Sequence, residues 1–106
     1  MPRLRPRIGF HAPIKGGVHN ALVISKEVGC DTVQLFSRNP RGWMAKPLTR
    51  ADVSLFRQTR RVTKLSPVII HCNYLINLAA LDGVFLEKSI LSFREEVVRA
   101  LLLGVD

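Results

Sequence analysis

Two rhythms of apolar residues alternate along the chain. Short apolar, β-branched and aromatic runs occur at Ile8-Gly-Phe10, Thr32-Val-Gln-Leu-Phe36 and Val68-Ile-Ile70, and they predict strands. Between them the spacing becomes helical. Val18, Ala21, Leu22 and Val28 alternate with Asn20, Lys26 and Glu27, and Gly29 supplies a C-terminal stop. Thr49 followed by Asp52 predicts a helix N-terminus close to a capping box, with Asp in place of Glu. The helix from about Arg50 to Leu65 turns Val53, Leu55, Phe56, Thr59 and Val62 toward a core and Arg57, Arg60, Arg61 and Lys64 away from it, and Ser66-Pro67 ends it. A third helix, from near Phe85 to Leu103, carries the stripe Leu86, Ile90, Phe93, Val97 and Leu101 and stops at Gly104.

The order is strand then helix, three times over. Such alternation predicts an α/β fold of three consecutive β-α units with parallel strands and right-handed crossovers. No low-complexity segment or linker interrupts it. Three parallel strands leave two open edges with unpaired backbone groups, and a closed barrel of this kind needs about 250 residues. The chain has 106. It is expected to be part of a longer barrel, or to complete its sheet with another chain, or to form a small open sheet with helices on both faces. The closing "LLLGVD" reads as the approach to a fourth strand.

Composition narrows the classes. Apolar residues make up 47% of the chain, which excludes global disorder. No apolar run is long enough for a membrane span, and the basic start "MPRLRPRIGF" lacks the apolar segment of a secretory signal. Two cysteines, Cys30 and Cys72, are too few for a disulfide scaffold, so a reducing, cytoplasmic setting is expected. Sixteen Lys and Arg against eight Asp and Glu give a formal charge of +8, which points to an anionic partner, with nucleic acid as first candidate and a solubilising surface as the plain alternative.

Chemistry in parallel α/β folds sits beyond the C-terminal ends of the strands. His11, Ser37 and His71 stand at those ends. A strand-end histidine is either a metal ligand or a structural imidazole, and both readings stay open for His11 and His71 on spacing alone. Cys72 cannot share an ion with His71 unless the chain turns sharply, because neighbours on an extended strand point to opposite faces; it reads as a small apolar filler. His19 reads as a solvated or core-edge residue of the first helix. None of the eight acids lies at a strand's C-terminal end, so three converging ligands for a catalytic zinc are not in evidence. The loop "SRNPRGWMAK" offers Arg38, Arg41 and Lys46 to phosphates, with Trp43 able to stack on a base or to plug the top of the fold. In "NYLINL", Tyr74 and Leu75 suit a wedge into a base stack, whereas Ile76 and Leu78 suit packing on the third helix. The Gly-Gly of "IKGG" precedes a helix, a weak indication of phosphate binding.

Taken together, "IGFHAPIKGGVHNAL", "QLFSRNPRGWMAKPL" and "HCNYLINLA" resemble, in order and spacing, the N-terminal third of the endonuclease IV family of apurinic/apyrimidinic (AP) endonucleases. The similarity runs from about Ile8 to the end of the chain, and the third segment is the most specific. The wider relatives are xylose-isomerase-like barrels, which share the architecture but not these loops. The resemblance implies that residues 1–106 form the N-terminal, incomplete part of a TIM barrel that cleaves the DNA backbone 5′ to abasic sites. It implies a trinuclear zinc cluster, with His71 matching a zinc ligand and His11 matching a histidine beside the metal site that supports the ligands. Arg41, Tyr74 and Leu75 match residues that enter the minor groove and base stack of abasic double-stranded DNA. The chemistry implied is metal-assisted hydrolysis in base excision repair.

The chain also departs from the family. Cys72 stands where the family usually has a small or acidic residue, and Pro40 and Gly42 replace polar residues beside Arg41. The remaining zinc ligands belong to later strands of the family barrel. The expectation is therefore that the longer protein cuts abasic DNA and that this chain alone does not. It should pair with the missing C-terminal part of the barrel or with itself. Two alternatives remain at this level: a truncated, non-catalytic nucleic-acid-binding remnant, and a fragment of a sugar isomerase or epimerase-like barrel. The charge and the Arg-Trp loop count against the latter.

Overall fold

The computed structural model describes residues 4–106; Arg3, which precedes Arg5 and Arg7 in the basic lead-in to the first strand, lies outside the described residues. Six elements follow one another: β1 (Gly9–His11), α1 (His19–Val28), β2 (Thr32–Phe36), α2 (Arg50–Thr63), β3 (Val68–His71) and α3 (Gly83–Leu103). The strands form one parallel sheet in the order β1-β2-β3. Its class is α/β, three consecutive β-α units with parallel strands, as the alternating pattern predicts. Both histidine-bearing strands run one residue further than the apolar runs suggest, so His11 and His71 close their strands rather than follow them.

The helix ends explain why the units are where they are. Thr49 caps α2 by accepting from the Asp52 N–H, and the Asp52 carboxylate accepts from the Thr49 N–H, a complete capping box. These bonds hold the Asp52 carboxyl below its ordinary range. Asp82 caps α3 by accepting from the Phe85 N–H at 2.8 Å, so that helix starts two residues before the expected Phe85. Gly29 and Gly104 take the left-handed conformation that closes α1 and α3. In β1, a Cβ on Gly9 would lie 1.9 Å from the Thr32 carbonyl oxygen, so only glycine lets β1 lie against β2 in this register.

The helices cover one face of the sheet. Val33, Leu35 and Val68 point into it and pack with Ala21, Leu22, Phe56 and Leu103 in a single core. Burying Phe56 completely contributes on the order of 2 kcal/mol. Two expected core faces differ from this arrangement. On α2, Phe56 is buried and Val53 packs against the core, whereas Leu55 and Val62 are exposed. On α3 the expected stripe is turned outward: Ile90, Phe93, Val97 and Leu101 are exposed, the last at 72%, and the buried positions are Ser89, Ser92, Glu96 and Leu103. The physical reason lies in the loops at the top of the sheet, whose polar groups occupy the surface on which α3 rests.

Beyond α3, the Asp106 N–H donates to the Val68 carbonyl at 3.0 Å. The preceding carbonyl, Pro67, faces β2 through the Val33 N–H, so the Asp106 bond falls on the outer edge of β3. The Asp106 carboxylate also accepts from the Val68 N–H and pairs with Arg60. No helix among the described residues is long and apolar enough to cross a membrane.

Candidate functional site

The face of the sheet opposite the helices carries the side chains that alternate with the core. Parallel pairing sets His11 beside Gln34 and Phe36 beside His71, all at the C-terminal ends of their strands. Phe36 is the hub of this cluster. Its ring centre lies 4.5 Å from that of His11, 5.1 Å from His71 and 5.1 Å from Tyr74, each edge to face. The two imidazoles are 6.1 Å apart.

Their hydrogen bonds separate the two histidines. His71 Nδ1 lies 2.6 Å from the carbonyl oxygen of Cys72, which can only accept, so in the neutral imidazole Nδ1 carries the proton and Nε2 the lone pair. That leaves Nε2 as the ring nitrogen open to a metal. His11 Nδ1 faces the side-chain amide nitrogen of Gln34 at 2.9 Å and accepts from it, which puts the proton of neutral His11 on Nε2. Partial burial, and secondarily the charge of His71, lower the His11 pKa and favour that neutral form. Cys72 is half-buried, and burial together with the nearby Glu96 carboxylate raises its pKa and keeps the thiol protonated.

Two loops rise beside this cluster. In the β2–α2 loop, Arg41 is exposed, its N–H held by the Asn39 side chain at 3.1 Å. In the β3–α3 loop, Tyr74 is 60% exposed and Leu75 is half-buried. The Asn73 carboxamide oxygen accepts from the N–H groups of Leu75 and Ile76 and shapes the turn that presents both wedge candidates. The loops are joined directly, because the Tyr74 N–H donates to the Pro40 carbonyl at 2.8 Å. Arg41, Tyr74 and Leu75 thus share one rim next to His71. Trp43 stands slightly apart, edge to face with Phe85 at 5.4 Å and beneath the Lys88 ammonium at 5.9 Å. It is half-buried, so a packing role and an exposed edge coexist.

Arg38 differs from the expectation of an exposed phosphate contact. It is 4% exposed. Its guanidinium donates to the carbonyls of Gly42 and Trp43 and to Glu95. All of these lie within the fold, so its charge is spent on the loop and on α3. Reading the sequence did not single out Phe36, Gln34, Asn73 or Glu96. For Phe36 and Gln34 the signal was present, since strict alternation in β2 puts both on the face opposite Val33 and Leu35. Asn73 carried a turn signal in its own bonds to the Leu75 and Ile76 N–H groups, but its anchor on Ser92 is distant in sequence, and for Glu96 no local signal exists, because its partners Ser37 and Arg38 are distant too.

The fold and this rim define a class: a segment of a parallel β/α barrel with histidines at the strand ends and a basic, aromatic loop rim above them. Comparison with known proteins then gives the particular kin. The chain is 41% identical over 99 residues to a probable endonuclease 4 of Citrifermentans bemidjiense, covering 93% of this chain and 35% of that protein. It is 40% identical over 100 residues to a probable endonuclease 4 of Chloroflexus aurantiacus, again covering 35% of that protein. The crystal structure of endonuclease IV from Thermus thermophilus superposes with a TM-score of 0.89 at 39% identity, over 94% of this chain and 38% of that chain. No family model matches the chain. The resemblance to the endonuclease IV family therefore holds along nearly the whole of this sequence, which spans 35% of the length of these curated relatives.

Proposed function

We propose that this chain is the N-terminal, DNA-meeting part of a DNA-repair endonuclease that hydrolyses the backbone 5′ to abasic sites in double-stranded DNA. The observation that carries this reading is the shared rim, in which the Tyr74–Pro40 backbone bond holds Arg41, Tyr74 and Leu75 together beside His71. In this reading Arg41 enters the minor groove. Tyr74 and Leu75 fill the gap in the stack that a missing base leaves, where unstacking costs least. Trp43 contributes its exposed edge.

Zinc is the metal that the family resemblance implies. His71 fits it as one ligand through Nε2, and His11 fits a supporting role, its outward N–H able to donate to a bound oxygen. The donor set of this chain does not fit a complete catalytic centre: among the described residues no group of three or more His, Cys, Asp or Glu converges. No hydrolytic step is assigned to these residues alone. The further ligands would come from the C-terminal part of the barrel, packed on the outer edge of β3 beyond the Asp106–Val68 contact and on the outward apolar stripe of α3; self-association of the chain is the other way to cover these surfaces. A reducing, cytoplasmic setting suits the two free thiols, Cys30 and Cys72. The alternative reading is a binding remnant without catalysis. No particular feature of the site favours a sugar isomerase.

The test replaces the corresponding segment of Thermus thermophilus endonuclease IV with this chain. The hybrid should nick a duplex carrying one abasic site, lose that activity to a chelator and lose it on His71→Ala. The 106-residue chain alone should not nick the duplex. Cleavage by the chain alone, abolished by chelation, would show that it builds a working centre by itself. A folded hybrid that binds without cutting would favour the remnant.

A further inference from the structure

We infer that Arg38 and Glu96 are positioning residues: with the polar stripe of α3 they form a buried clamp that sets the geometry of both loops of the rim. The inference rests on the reading of Arg41, Tyr74 and Leu75 as DNA contacts, and it assigns no DNA contact to Arg38.

A long helix with an apolar stripe ordinarily buries that stripe. Here α3 exposes it and buries Ser89, Ser92 and Glu96, which lie on one face at helical spacing, continued by the half-buried Arg99. Each of these polar groups holds a loop. The Ser89 hydroxyl accepts from the Asn77 N–H at 3.0 Å. The Ser92 hydroxyl accepts from the Asn73 carboxamide at 3.1 Å, and Asn73 is the residue that turns the chain into Tyr74 and Leu75. Glu96, 3% exposed, accepts from the Ser37 hydroxyl at 3.0 Å through one oxygen, while its other oxygen lies 3.9 Å from the Arg38 Nε. Arg99 donates to the Ser37 hydroxyl and to the Lys46 carbonyl, pinning both ends of the β2–α2 loop. Arg38 fills the middle, bonded to the Gly42 and Trp43 carbonyls and, at 3.2 Å, to Glu95.

Four charged side chains drawn into one partly buried cluster cost desolvation that surface pairs avoid, so bulk stability does not explain the arrangement. Order in the loops does. An Arg41 held by a fixed loop loses little conformational freedom on meeting DNA, whereas a free loop must lose it at that moment. The Arg38 Nε and the Glu96 oxygen face each other as an ion pair at 3.9 Å without a hydrogen bond.

The chain's one tryptophan, Trp43, sits in the clamped loop and reports on it directly. In Arg38→Met, acrylamide quenching of Trp43 should rise at least twofold. Affinity for a duplex with one abasic site should fall about tenfold, the cost of ordering a released loop. The slope of log affinity against log salt should stay unchanged, because no phosphate contact is lost. Arg38→Lys keeps the charge but not the fork of donors, and should behave as Arg38→Met does. A fall in slope of about 0.9 with unchanged quenching marks a direct phosphate contact and overturns the inference; so does an Arg38→Met protein that matches the parent. Should Arg38→Met fail to fold, Ser92→Ala, which removes only the Asn73 anchor, must weaken abasic-duplex binding at least threefold at unchanged slope, and no change there overturns the clamp. A parent chain that does not distinguish abasic from intact duplex refutes the proposed function instead, and Trp43 quenching still decides the clamp.

Discussion

His71 and His11 occupy equivalent strand ends, and their neighbours give them different parts. A carbonyl takes the Nδ1 proton of His71 and leaves Nε2 open, while an amide donor fills Nδ1 of His11. The sequence located both, because strand ends in parallel folds are where chemistry gathers, but it could not assign a tautomer. Arg38 was misjudged for a related reason. Loop arginines are usually solvated, and the acids that bury this one lie on α3, 57 residues away in the case of Glu95. At this scale the wedge is the sharpest expectation. Tyr74→Ala should lower affinity for an abasic duplex by roughly tenfold, the usual worth of an aromatic stacking contact, with little effect on an intact duplex, as read by fluorescence anisotropy. Asp106 supplies the pH dependence. Its bond from the Val68 N–H, and then its pairing with Arg60, hold its carboxyl below the ordinary aspartate value. The folded state therefore binds that proton less readily than the unfolded one. The stability it confers is present above about pH 4 and is lost as the pH falls through its depressed folded value. Asp106→Asn should remove that part of the acid destabilisation in urea titrations run from about pH 5 down to about pH 2, a range that extends below the ordinary aspartate value.

Among the elements, β2 and the start of α2 were legible almost residue by residue. Alternation fixed the first, and the Thr49–Asp52 pair fixed the second. Thr49→Ala should cost about 1 kcal/mol in denaturant unfolding by opening the capping box. The face of α3 was not legible. Periodicity gives the direction of an apolar stripe but not what the stripe meets, and here the polar loops took the inner side. Its outward stripe leaves Ile90, Phe93, Val97 and Leu101 exposed, the surface that the proposed function gives to the rest of the barrel or to a second copy. The double substitution Val97→Glu and Leu101→Glu, both on that stripe, should leave the helical signal intact and reduce association of the chain in sedimentation velocity. Unchanged association would place the contact elsewhere, on the open strand edges.

As a whole molecule, the chain is three β-α units that put two strand-end imidazoles and one basic, aromatic loop rim at the same end of a sheet. The charge of +8 pointed to nucleic acid, but much of it lies elsewhere: Arg57 and Arg60 bond the last carbonyls of α3, and Arg38 and Arg99 are drawn into the clamp. In the proposed function, selectivity for damage then comes from the rim rather than from charge. The most direct measurement is the affinity of the purified chain for two duplexes of identical sequence, one with a single abasic site, across a salt series. The expected result is tighter binding to the abasic duplex at every salt concentration, with parallel salt slopes, because the wedge adds a contact that involves no phosphate. Equal affinity for both duplexes, with binding that simply follows salt, would contradict a rim built to recognise a missing base.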